Sequence, residues 1–71
     1  MLRDLRRYLA HNQLVEIIYL DRNGRTSKRV LRLHSIDGEK MKAYCFTRQA
    51  NRVFIISNIL AAVPVAVDHA V

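Results

Sequence analysis

Residues 41–59 read MKAYCFTRQANRVFIISNI, and this stretch decides the fold. Met41, Ala43 and Cys45 alternate with Lys40, Lys42, Tyr44 and Phe46, the period of two that a strand with one buried face requires. A turn over residues 47–51 reverses the chain, and residues 52–56 return as a second apolar strand. Arg48 lies in that turn and Arg52 closes it. No Asp or Glu occurs between Lys40 and Val67. Two guanidinium groups without a local carboxylate imply an anion that arrives from outside.

Working outward, Leu2, Leu5, Tyr8 and Leu9 fall at helical spacing, with Arg3, Arg6 and Arg7 on the other side as a solvated face. The spacing predicts a helix over residues 2–12, ending at Asn12, which tolerates a left-handed cap. Residues 14–20 are rich in β-branched and aromatic side chains and read as a strand. Asn23-Gly24 is a hairpin signal, and residues 26–36 form the return strand, with Leu31 and Leu33 on one side and Val30, Arg32 and His34 on the other. Asp37-Gly38 turns the chain into the strand over residues 40–46. After the strand over residues 52–56 comes a short helical turn at Ser57–Leu60. A last strand over residues 63–67 starts around Pro64, whose missing N–H confines it to an edge or a strand's beginning. The expected fold is mainly β with one N-terminal helix: a five-stranded small β-barrel, the helix plugging one end, spanning residues 1–71 as a single domain.

The chain has 71 residues, 51% of them apolar, with a net charge of +6. That size allows one core, and oligomerisation would bury more. The single Cys45 excludes an internal disulfide and suggests a reducing, cytoplasmic setting. Arg3 and Asp4 interrupt any signal peptide, and the apolar run Ile59–Val67 is far shorter than the ~20 residues of a membrane span. An isoelectric point near 10.3 fits a partner that is nucleic acid or nucleotide. Arg22, Arg25, Lys28, Arg29 and Arg32 form one acid-free block; Lys40, Lys42, Arg48 and Arg52 form a second.

The order helix, Ile17-x-Tyr19, Asn23-Gly24, Arg29, then Ala43-Tyr44-Cys45, Arg48, Arg52, Phe54 and Ile59 resembles the WYL domain, over about residues 2–67. The resemblance implies an Sm-like small β-barrel, the ligand-sensing part of bacterial transcription regulators, with a basic groove for nucleic acid or nucleotide-type ligands. Arg48 and Arg52 match the family's ligand contacts. Three positions depart from it: Glu39-Lys40-Met41 stands where the naming tripeptide would fall, Phe46 replaces a frequent His, and Asn58 replaces a third arginine. The family's winged-helix DNA-binding domain is expected to be missing here, so a separate DNA-binding regulator is one expected partner; a homodimer is another possibility.

Arginine presents a rigid fork of donors that fits phosphate bidentately. Tyr44 shares a strand face with Lys40 and Lys42, a stacking surface between cations of the kind that single-stranded nucleic acid favours. The predicted binding residues are therefore Arg48, Arg52, Tyr44, Lys40 and Lys42, with Arg29 at the margin. Catalysis is not expected. His11, His34 and His69 are dispersed, no Cys-x-x-Cys or glycine-rich phosphate loop occurs, and Cys45 reads as a small buried hydrophobe. No metal or cofactor is expected. Two other functions fit the same pattern: a self-assembling Sm-like barrel that binds RNA, or an adaptor that pairs its apolar C-terminal strand with another protein.

Overall fold

The computed structural model describes residues 1–66; Val67 and His69, part of the expectations above, lie outside them. Helix α1 spans Leu2–Ala10, and its buried residue is Leu5. Tyr8 and Leu9, one helical turn on, pack against the core. The chain leaves the helix through Asn12 at φ 55°, with the Asn12 N–H donating to the Leu9 carbonyl at 3.1 Å. The expected left-handed exit is there, and the regular helix stops two residues before it.

Strands β1 (Leu14–Leu20), β2 (Thr26–Asp37), β3 (Lys40–Cys45), β4 (Ala50–Ile55) and β5 (Ile59–Pro64) follow, with a 3₁₀ turn at Ile56–Asn58. They form one antiparallel sheet in the order β4-β3-β2-β1-β5. The inner face carries Val15, Ile17, Leu31, Leu33, Met41, Ala43, Cys45, Phe54 and Ile59, and Leu5 of α1 completes this core. On β3 the pattern is the one alternation demands: Met41, Ala43 and Cys45 are buried, while Lys40 and Lys42 are exposed.

The expected closure of the barrel is not met. Among the described residues β4 and β5 share no ladder, so the sheet is open along that seam. It is nonetheless strongly curled. A flat five-stranded sheet would hold its edges roughly 19 Å apart at about 4.8 Å per strand. The chain from Ile55 to Ile59 reaches at most about 14 Å. Irregularities between Leu33 and Ser35 and between Ile18 and Tyr19 supply part of the bend, as extra residues in one strand do. One side chain bridges the seam: the Ile55 N–H donates to the Tyr19 hydroxyl at 3.0 Å.

The last strand begins earlier than expected, at Ile59 instead of residue 63. After the 3₁₀ turn the chain is extended again, with Ile59 at φ −86°, ψ 113°, and Ile59 fills the core at 6% exposure. Pro64 therefore ends the strand opposite Val15 and does not open it. An edge position has no ladder bond for its missing N–H to break.

Candidate anion-binding groove

Arg29 is paired with Ile17 across the β1–β2 ladder, and it lies two residues before Leu31. Both neighbours face the core, so the alternation of β2 turns Arg29 inward. The residue is 8% exposed, the one charged residue counted among the buried positions. Its Nε–H donates to the Ser27 hydroxyl at 3.2 Å. Its guanidinium carbon lies 5.7 Å from the Phe54 ring centroid and 6.0 Å from that of Tyr19. Those two rings pack edge to face, 5.0 Å apart. Ring faces are electronegative and offset part of the cost of burying a cation.

No carboxylate completes the compensation. Among the described residues the ion pair within 4 Å is Arg7 with Asp4, on the exposed helix face. The terminal nitrogens of Arg29 have no acceptor there either, yet no buried side-chain nitrogen or oxygen lacks a partner. Those nitrogens must therefore reach the solvent of the adjoining cavity. Arg29 aims unspent donors into open space.

That cavity, of about 380 Å³, is lined by Tyr19, Arg22, Arg29, Arg52, Phe54 and Asn58, with Asp21 and the ends of β1 and β4. Arg22 comes from the β1–β2 turn. Arg52 projects from the inner side of β4, opposite buried Ala43. The one acid in the wall, Asp21, has its Oδ1 engaged by the N–H groups of Asn23 and Arg25, both at 2.9 Å. That bond builds the turn in which Gly24 takes φ 80°. Three arginines thus line one groove, and the single acid in its wall has one carboxylate oxygen engaged by the turn backbone.

The residues predicted from sequence fall in three places. Arg29 and Arg52 line the groove. Lys40, Lys42 and Tyr44 lie on the opposite, outward face, where Tyr44 packs edge to face on Phe46 at 4.8 Å. Arg48 occupies the β3–β4 turn, beyond the Cys45–Ala50 pair, and lines neither the groove nor a second concavity of about 320 Å³ bounded by His34, Lys42, Ala43, Asn51, Arg52 and Val53. Arg52 borders both. Tyr19, Arg22, Phe54 and Asn58 were not among the predicted contacts. The signal for Arg29 as a central residue was present: it shares its strand parity with Leu31 and Leu33.

The fold has a solved counterpart. Proteasome accessory factor B/C (PafBC) of Arthrobacter aurescens superposes with a TM-score of 0.74 at 18% identity, over 97% of this chain and 12% of that one. Identity this low speaks for the fold alone. The chain spans a small part of that protein's length. No family model matches the chain, and no curated protein matches it.

Proposed function

We propose that this chain is a WYL-like, non-enzymatic regulatory module whose groove takes a phosphate-bearing, nucleotide-type ligand. The observation that carries this reading is Arg29: a buried guanidinium beside the Tyr19–Phe54 ring pair, with no carboxylate partner among the described residues and free donors toward a cavity. Burying a charge costs several kcal/mol unless it is paired. A phosphate oxygen entering the groove would supply the missing partner through charge-assisted hydrogen bonds. Arg22 and Arg52 stand at the rim to hold further anionic oxygens, and Tyr19 offers an aromatic wall beside them. The regulatory role is what the resemblance of the sequence to WYL domains implies, and the fold shared with part of PafBC is compatible with it.

Thermal unfolding in the presence of pyrophosphate and of mononucleotides tests the reading. Saturating ligand should raise the midpoint of the wild type, with a dependence on ionic strength. Arg29→Met and Arg52→Ala should each remove most of that shift while remaining folded. A folded wild type that responds to none of these ligands would sink the proposal.

A further inference from the structure

The second concavity, on the outer side of β3 and β4, has a construction that the groove does not share. It holds about 320 Å³ between His34, Lys42, Ala43, Asn51, Arg52 and Val53. On β2, Leu33 pairs with Ala43 and Ser35 with Lys42, which leaves His34 without a partner in the ladder. His34 is the extra residue of a bulge, and a bulge re-aims the side chain it carries. Here the imidazole reaches across β3: its Nε2 lies 3.3 Å from Oδ1 of Asn51 on β4, a strand whose backbone runs roughly 10 Å from that of β2. Beneath this bridge Ala43, at 1% exposure, turns its methyl into the core and leaves no side chain on the outer side. A bridge above a gap makes the hollow.

The polar groups around this hollow are of one kind. Oδ1 of Asn51 can only accept, so His34 Nε2 carries the proton and donates to it. With its carbonyl oxygen taken, the Asn51 amide presents its NH2 donors. Lys42 and Arg52 add an ammonium and a guanidinium, and neither forms an ion pair within 4 Å among the described residues. Beside these donors stands Val53, 54% exposed and opposite Lys42 in the β3–β4 ladder. Spare donors next to a bare apolar side chain suit a head group that only accepts, joined to an apolar body. An ionised carboxylate is such a head. The volume falls at the small end of the roughly 300–1,000 Å³ typical of ligand pockets.

We propose that this hollow is a second ligand site, distinct from the groove, for a small monocarboxylic acid with an aliphatic body. The carboxylate sits among Arg52, Lys42 and the Asn51 amide, and the aliphatic part lies along Val53. Arg52 borders the groove as well, so the two occupants compete for one guanidinium. This link alone rests on the groove reading. An acid in the hollow weakens phosphate binding in the groove, and phosphate weakens the acid by the same factor. The hollow is thereby an inhibitory input to the groove.

Heteronuclear NMR of the full chain titrated with acetate, butyrate and hexanoate tests the site. Shifts should centre on the amides of His34, Asn51 and Val53. Affinity should rise about two- to fourfold per added methylene, as each is partly or fully buried. Hexanamide, which lacks the charge, should bind about tenfold more weakly than hexanoate. Lys42→Ala should weaken hexanoate about two- to fivefold and Val53→Thr about threefold; both positions are exposed, and a retained spectrum shows the fold intact. Arg29→Met should leave the hexanoate affinity unchanged. Saturating pyrophosphate should weaken hexanoate about two- to fivefold, the effect of one shared cation. The proposal is overturned if those amides do not shift at tens of millimolar hexanoate, if affinity ignores chain length, or if hexanamide binds equally. Loss of hexanoate binding in Arg29→Met would also overturn it, by moving the acid into the groove. Hexanoate binding unchanged by bound pyrophosphate would refute the sharing of Arg52. Should pyrophosphate itself not bind, the groove reading falls, and the hexanoate series still decides the hollow.

Discussion

Replacing Arg29 by Met should make the free protein more stable and the ligand-loaded protein less so. Met keeps the apolar stem that packs under Tyr19 and Phe54, and it removes the charge. The compensation lost is small. Centroid distances of 5.7 and 6.0 Å lie at the outer limit for a cation over a ring, which gives about 0.5 kcal/mol per ring. The bond to Ser27, at 3.2 Å, contributes about 1.5 kcal/mol at the lower end for a charged donor. Against this total stands a desolvation penalty of several kcal/mol, reduced because the terminal nitrogens reach cavity solvent. The balance favours Met by about 1 kcal/mol, or about 4–8 °C in the midpoint of a domain this size. Pyrophosphate at a hundredfold excess over its Kd should stabilise the wild type by about 2.7 kcal/mol and Arg29→Met hardly at all. The order of stabilities therefore reverses on adding ligand. Thermal and urea unfolding with and without pyrophosphate read both arms. A variant destabilised by more than about 2 kcal/mol without ligand would identify Arg29 as a packing element, and the reasoning would fail.

Three further substitutions probe the same architecture. Tyr19→Phe leaves the Ile55 N–H without its acceptor across the open seam, so stability should drop by about 1 kcal/mol, with faster amide exchange at Ile55 than at Met41 in hydrogen-exchange mass spectrometry. Phe54→Ala opens a cavity at a residue 2% exposed and should cost about 3–5 kcal/mol, enough to leave a domain of this size largely unfolded by circular dichroism. Asp21→Asn preserves the side-chain acceptor for the Asn23 and Arg25 amides and removes the one negative charge in the groove wall. Pyrophosphate should then bind about two- to fivefold more tightly by calorimetry, the effect of roughly 0.5–1 kcal/mol from one screened charge.

The alternation in residues 40–46 was enough to assign β3 and both its faces, because a period of two has a single reading when one face must be buried. The Asn23-Gly24 and Asp37-Gly38 turns were equally legible: both glycines sit at positive φ, 80° and 61°, where other residues are strained. Pro64 misled the placement of β5. A missing N–H is compatible with either end of an edge strand, and the core demand of Ile59, visible only once Tyr19 lies opposite it, chose the earlier start. Closure was illegible because it depends on whether β4 and β5 come within ladder distance. Local patterning does not fix that separation.

The site was legible as composition and illegible as geometry. A charge of +6 gives the same sum whether the cations share one surface or occupy two, and the sequence reading gathered them into one. Parity separates them. On β2, Arg29 falls with Leu31 and Leu33, whereas Lys28 and Arg32 fall with Val30, so a single strand sends guanidinium groups to opposite faces. On β3 both lysines take the outward parity, and on β4 Arg52 takes the inward one opposite Ala43. Arg48 has no parity, since it lies in a turn whose backbone includes Gln49 at φ 55°. A sheet curled by its short β4–β5 connection then gives the two sets different surroundings. The inward set lines a groove whose wall includes buried Arg29 and Phe54, where a charge is screened less; the outward set is spread over an open surface where salt screens it. Pyrophosphate binding in the groove should therefore fall less steeply with salt than a fully exposed contact would, and titrations at low and physiological salt measure how far the curvature of the sheet shields its inward charges.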